Sequence, residues 1–333
     1  MSSLTLHISP TGRAYATQQR GMTMIELMVA LALGLVILAA VLGLFVNITR
    51  TNNELAKSNR QIENGRFAIQ VLQNDLAHAG FWGALRPAVP TAIPDPCLAV
   101  GSWNDVYHAN LLAIPVQGFA DGGALAGCGV SGVLGNSDVL VVSHANTCIA
   151  GAAGCDGGTD TGPHIQISGC TSASPPEPAY RIDAPGSLTL TNRNCATTAD
   201  RRKIVTNIYY LATSNGQPTL MRVAFNNGSY STAQPLIEGI EALTFEYGVD
   251  NNGDGNPDVY VSCAPCDLTQ LPNIMAVKVH VLARNLEATQ GYTDSKAYQL
   301  GTTTLGPFND GFKRHVFSTS VRLVNPSARR EMP

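Results

Sequence analysis

Asp250, Asn252 and Asp254 stand at alternate positions in the run Asp250-Asn251-Asn252-Gly253-Asp254-Gly255-Asn256-Pro257-Asp258. Side-chain oxygens at that spacing, with Gly255 sixth to allow a sharp turn, match the opening of an EF-hand-type calcium loop. Asp250, Asn252 and Asp254 would supply side-chain oxygens, Asn256 its backbone carbonyl, and Asp258 a direct or water-mediated ligand. The twelfth place is Val261, where such a loop carries a bidentate Glu, so another segment would have to help; Glu246 is one candidate. The same residues also make an ordinary Asn/Asp/Gly turn between two strands. Calcium is the one cofactor this pattern suggests.

Cys263-Ala264-Pro265-Cys266 has metal or redox spacing, but no second pair follows at matching spacing, and a structural disulfide is the simpler reading. Cys97, Cys128, Cys148, Cys155, Cys170 and Cys195 complete a set of eight. An even number, all placed after an apolar N-terminal segment, fits disulfides in an exported domain. Sequence leaves the pairing open, with a preference for the neighbours Cys148 with Cys155 and Cys170 with Cys195. The seven histidines form no HExxH or HxxEH array, and there is no Walker A loop or dinucleotide fingerprint. No catalytic residue is assigned, and the chain is not read as an enzyme.

These residues need elements to hold them. The chain has 333 residues, a charged fraction of 14% and a formal net charge of -3. Such a charge provides no global basic field for nucleic acid, and Arg201-Arg202-Lys203 reads as a solvated turn. Residues 83–200 carry six of the cysteines, with only short strand-like runs at 139–143 and 187–191. The rest is strand-rich: 203–213, 219–225, 237–247, 259–262, 274–283 and 314–324 are dense in β-branched and aromatic residues, with Asn215-Gly216 and Asn227-Gly228 as turns. In 275–282, Met275, Val277, Val279 and Val281 alternate with Ala276, Lys278 and His280, which marks one buried face.

The N-terminus is different. Residues 27–46 hold no charge and no polar side chain. At about 1.5 Å per residue they span about 30 Å, the thickness of a hydrocarbon core. Arg13 and Arg20 precede the span, which fits a cytoplasmic N-terminus. The helix should continue through 49–79, which has no Pro and a single Gly, Gly65. Leu55, Ile62, Phe67, Ile69, Leu72 and Leu76 give it an apolar stripe, and Gly80 a stop. The expected fold class is α+β: a long N-terminal helix packed on an antiparallel β-sheet domain with disulfide-rich loops.

Arg20-Gly21-Met22-Thr23-Met24-Ile25-Glu26-Leu27 resembles the class III signal of type IV prepilins. The resemblance implies cleavage after Gly21, a new N-methylated amine on Met22, and a Glu26 carboxylate that neutralises the amine of an adjacent subunit. Two further stretches, Gln61-Ile62-Glu63-Asn64-Gly65-Arg66-Phe67-Ala68 and Leu76-Ala77-His78-Ala79-Gly80-Phe81-Trp82-Gly83, resemble the PilW family of minor pilins. So do Leu236-Ile237-Glu238-Gly239-Ile240-Glu241-Ala242-Leu243-Thr244-Phe245-Glu246-Tyr247-Gly248 and the terminal Arg314-His315-Val316-Phe317-Ser318-Thr319-Ser320-Val321-Arg322-Leu323-Val324-Asn325.

The implied organisation is a leader at 1–21, a transmembrane and assembly helix at 22–80, a Cys-rich insertion at 81–200 and a β-sheet region at 201–333. The implied function is a structural minor pilin that helps prime type IV pilus assembly and sits at or near the tip. It would be held by the bacterial inner membrane with its C-terminal domain in the periplasm, and later in the pilus. The partners it implies are other minor pilins, the major pilin, the prepilin peptidase and a pilus-tip adhesin. A type II secretion pseudopilin shares the signal and the plan, and a pilus-borne adhesin or DNA-uptake module is a further alternative.

Overall fold

A computed structural model describes residues 21–155 and 161–331. Of the leader read at 1–21, all but Gly21 lies outside them. By its contacts the chain divides into two units, Met1–Glu54 and Leu55–Pro333. One helix, α1 (Met24–His78), runs from the first into the second.

In the second unit α2 spans Asp105–Ala113 and α3 Val324–Glu331. The strands are β1 (Val116–Phe119), β2 (Val139–Ala145), β3 (His164–Ile167), β4 (Tyr180–Asp183), β5 (Arg201–Ser214), β6 (Gln217–Asn226) and β7 (Ser229–Tyr230). They continue with β8 (Gln234–Glu238), β9 (Ile240–Val249), β10 (Val259–Val261), β11 (Ile274–Arg284), β12 (Tyr298–Leu300), β13 (Thr303–Leu305) and β14 (Arg314–Arg322). One sheet has the order β1-β2-β5-β3-β4, with β6 also on β5 and carrying β7 and β8; a second has the order β10-β9-β11-β14; β12 and β13 form a small hairpin. All these pairings are antiparallel.

The expected strand over 237–247 is two strands. Gly239, at φ +77, breaks it, and a Cβ there would come within 2.9 Å of the Arg284 carbonyl. The chain thereby leaves β6, the partner of β8, and joins β11, the partner of β9. Asn215 and Gly216 both have positive φ, the geometry a tight hairpin turn needs between β5 and β6. Residues 187–191 are not a strand. Arg201, Arg202 and Lys203 open β5 instead of forming a solvated turn. Arg201 donates to the Pro185 carbonyl, Arg202 lies over the Phe81 ring, and Lys203 donates to Asn227. The strand expected over 314–324 ends at Arg322, and α3 follows.

Within the second unit α1 buries Gln61, Gly65, Ala68, Leu72, Asp75 and Leu76. The periodicity is helical, but the stripe is rotated from the one read in the sequence: Leu55 and Phe67 are exposed. Apolar counting misses it because half of the buried face is Gly, Gln and Asp. Leu72 and Leu76 join Leu140, Val142, Val277, Val279 and Val281 in the main core. Burial of each leucine contributes roughly 1.5–3 kcal/mol. Gln61 lies at a buried place because its amide donates to the carbonyls of Ala283 (2.7 Å) and Lys313 (3.0 Å). At the other end Gly80 takes φ +67, and Arg329 of α3 donates to its carbonyl at 2.8 Å. Asn325 reaches the carbonyl of Ala79 at 3.2 Å, so α3 satisfies the end of α1.

Asp75 is a buried carboxylate held by Asn207 (3.1 and 3.2 Å), by His144 Nε2 (3.0 Å) and by the Tyr209 hydroxyl. His144 Nδ1 faces the Ala145 carbonyl at 2.9 Å. Both ring nitrogens therefore meet acceptors, which suits the imidazolium. Burial works against that charge, but Asp75 outweighs it and raises the His144 pKa above its ordinary value. A raised folded pKa gives stability that is fully present below the unfolded value, about 6.5, and lost as pH rises through the folded value. The native chain is therefore expected to lose melting temperature above about pH 6.5 relative to His144→Gln. Parallel melting curves for the two across that window would show the pair carries no net charge coupling.

Candidate functional site: the N-terminal helix and its first turn

Thr23 precedes α1, whose first turn carries Met24, Ile25 and Glu26. The Thr23 backbone N–H and hydroxyl both donate to Glu26 Oε2 at 2.9 Å, and the Glu26 N–H donates to Thr23 Oγ1 at 3.3 Å. This is a capping box, which satisfies amide donors that the first turn would leave open. The acid also lies at the positive end of the helix dipole. Thr23 was not singled out in the sequence; the Thr-x-x-Glu signature before an apolar run was the signal that could have found it. A carboxylate held this way inside one chain has a lower barrier to its place beside an apolar span than an unpaired one.

The residues around it are open. Among the described residues nothing lies within 4 Å of a Cβ built on Gly21, and Met22 is exposed, so these residues leave the bond between them open. Residues 21–53 are all exposed. Residues 27–46 thus present apolar side chains on every side of the helix, with no cover from other described residues. The helix is long and apolar enough to cross a membrane. Where polarity returns, Thr49 and Thr51 donate to the carbonyls of Phe45 (2.9 Å) and Asn47 (3.0 Å), which satisfies the hydroxyls within the helix. A surface of this kind requires lipid or other apolar helices as its surroundings.

The eight cysteines form four disulfides: Cys97–Cys128, Cys148–Cys155, Cys170–Cys195 and Cys263–Cys266. Three of them tie down the long irregular connections between residues 86 and 200. The fourth closes the Cys-x-x-Cys turn.

The Asp-rich loop lies between β9 and β10. Asp250 is buried and accepts from the amides of Asn252 (3.1 Å), Gly253 (2.6 Å) and Gly255 (2.9 Å), and from Arg330 of α3 at 2.8 Å. Asp258 accepts from the amides of Asn251 and Asn252. Asn252 and Asp254 accept from the amides of Asp254 and Asn256. Glu246 faces His280 (3.3 Å) and Lys278 (3.7 Å). Among the described residues no three of His, Cys, Asp and Glu converge as a ligand cage. The cation that Asp250 holds here is the guanidinium of Arg330, which comes from a distant part of the chain and left no signal in the loop's own sequence.

Burial opposes the charge on Asp250, but Arg330 and the glycine amides outweigh it and lower its pKa. Calcium at this loop would have to displace Arg330. Calorimetric titration should therefore show tighter calcium binding by Arg330→Ala than by the native chain. Equal or weaker binding by the variant would mean that Arg330 does not compete for the loop's oxygens.

Residues 208–325 match the family described as type IV pilus-assembly protein W, and residues 17–42 match the prokaryotic N-terminal methylation motif. No curated protein matches the chain. Among solved structures, a type IV-like pilin from Thermus thermophilus aligns at 12% identity with a TM-score of 0.38, over 80% of this chain and 96% of that one. The methylation motif covers Gly21, Met22 and Glu26. The other match covers β9, β11 and β14, the sheet whose core strands pack with Leu72 and Leu76 of α1. With that motif at the start of the apolar helix and that sheet against its second half, the chain carries the N-terminal methylation motif of prepilins and a region similar to the type IV pilus-assembly protein W family.

Proposed function

We propose that this chain helps prime type IV pilus assembly and takes a place at or near the pilus tip, as a structural subunit with no catalytic role. The observation that carries the reading is the open Gly21–Met22 bond, two residues before a capped helix whose apolar first half is exposed. In this reading a prepilin peptidase cuts after Gly21 and methylates the Met22 amine. Glu26, released from Thr23, then pairs with the amine of an adjacent subunit, which offsets the cost of burying either charge alone. Other minor pilins and the major pilin surround the apolar half of α1, and a tip adhesin contacts the assembled minor pilins. Before assembly the helix spans the inner membrane and residues 55–331 are periplasmic.

Intact mass and N-terminal peptide analysis of the membrane-bound protein test this. The expected chain begins at N-methylated Met22. Gly21→Val, which puts a branched side chain beside the scissile bond, should leave the leader attached. A native chain that still begins at Met1, in cells whose peptidase processes other prepilins, would reduce α1 to an ordinary anchor. Deletion separates the pilus reading from a secretion pseudopilus: the first predicts loss of surface pili and twitching, the second loss of exoprotein secretion.

A further inference from the structure

The Cys-rich part of the chain contains a groove of about 700 Å3 between the start of α2 and strand β4. That volume is in the range of small-molecule sites. Trp103, Asp105 and His108 line one side; Tyr180, Arg181 and Asp183 line the other. The pilus role described above makes no use of any of them.

Each group has a definite chemical capacity. The indole N–H of Trp103 is committed to the Leu98 carbonyl at 3.0 Å, and Phe225 stacks on the ring at 5.6 Å between centroids. What Trp103 offers the groove is therefore fixed aromatic surface with no donor to satisfy. Tyr180 adds a second ring, half-buried, with a hydroxyl that has no partner among the described residues. The Asp105 carboxylate is fully exposed, with the His108 ring 3.9 Å away. Asp183 accepts only the neighbouring Ala184 N–H, at 2.7 Å, and keeps its remaining acceptor capacity. Arg181 supplies donors.

Two aromatic platforms flanked by carboxylate acceptors and a guanidinium donor suit a ligand with flat C–H faces and a rim of hydroxyls. Charge narrows the class. Asp105 and Asp183 against Arg181 leave a net charge near -1, and burial of His108 lowers its pKa and favours the neutral ring. A groove so nearly balanced has little to hold a polycation or a polyanion. We infer that the groove between Trp103 and Tyr180 binds a neutral carbohydrate, a mono- or disaccharide unit of a larger glycan. The site lies outside the region matched to the pilus family, residues 208–325, so it stands or falls apart from the assembly role.

The chain's two tryptophans make the test direct. Trp82 is completely buried with its N–H on the Leu112 carbonyl, so a ligand-induced change in emission reports Trp103. The full chain in lipid nanodiscs, free of sugar-based detergent, is titrated with methyl glucoside, methyl galactoside, N-acetylglucosamine, lactose and cellobiose. At least one is expected to give a saturable shift in the millimolar range. Asp105→Asn and Asp183→Asn alter exposed carboxylates and should fold normally, and each should weaken that sugar about tenfold. Absence of any shift at tens of millimolar, an equal shift in both variants, or a shift with tetralysine but with none of the sugars would each overturn the proposal.

Discussion

Arg314→Met is expected to melt roughly 10 °C below the native chain, a loss of about 3–5 kcal/mol. The Arg314 side chain is fully buried and meets three carboxylates. It donates to Glu241 through Nε and through Nη2, the latter at 3.0 Å. Nη1 donates to Asp294 (2.9 Å) and Asp310 (2.7 Å), and Nη2 also to Asp310 (2.6 Å). Its guanidinium lies 3.8 Å from the centre of the Phe308 ring. This one side chain thus ties β14 to β9 and to the long connection between β11 and β14.

Removing it leaves Asp294, also fully buried, with only the hydroxyls of Tyr298 and Tyr292 as side-chain donors among the described residues. An unpaired buried carboxylate is the costly outcome. Replacing Asp294 by Leu in the same chain should return part of the loss, because both charges are then gone.

The acid limb of the stability curve carries a second signature. Burial opposes the charge on Asp294, but Arg314 and the two tyrosines lower its pKa; Asp310 is held low by Arg314 first. Lowered folded pKa values give stability that is present above the unfolded value, about 3.9, and lost as pH falls through the folded values. In Arg314→Met burial acts on Asp294 with less to oppose it, so its protonation, and the fall in stability, should begin at higher pH. Melting curves between about pH 3 and pH 7 read both effects. A variant within about 2 °C of the native chain throughout would mean that the cluster's attraction only balances its desolvation.

This cluster also shows what the sequence could and could not disclose. Arg314 stood inside a motif whose family resemblance was legible, but its partners come from β9 and from a loop with no periodicity to read. Local signals were legible. The charge-free run before Thr49, the Asn-Gly turns and the alternation in β11 all rest on nearest neighbours in the chain. The sheet change at Gly239 was not, because a single positive φ inside an apolar run leaves the period unchanged. Residues 86–200 contribute β1 to β4, but short strands held by disulfides between distant cysteines have little pattern of their own. The Asp-rich loop was legible as a turn, yet the cation facing Asp250 is Arg330, which no reading of the loop alone could supply.

Gly65 is the clearest case of a residue whose role only packing reveals, and Gly65→Leu is expected to destabilise the second unit by about 3 kcal/mol or more. A glycine inside a helix costs about 1 kcal/mol against alanine, so helix propensity by itself favours its replacement. The opposing term is steric. A Cβ built on Gly65 would overlap the ring of Phe317, which lies on β14 and packs edge to face on His315 at 4.7 Å. Any side chain at position 65 must push that ring away or lift α1 from the sheet. For alanine the overlap and the propensity gain partly offset, and a loss of about 1 kcal/mol is expected. For leucine the overlap is larger, so turning the partly exposed ring is not enough and the helix must also move, which disturbs Gln61 and Ala68 one turn on either side. Thermal melts of the full chain in nanodiscs measure the series. Phe317→Leu introduced into Gly65→Ala opens space at the contact and should recover the alanine variant to native stability or above. If Gly65→Ala alone is as stable as the native chain, and Phe317→Leu adds nothing to it, then the helix-to-sheet contact at this point is loose and Gly65 is not there to seat the ring.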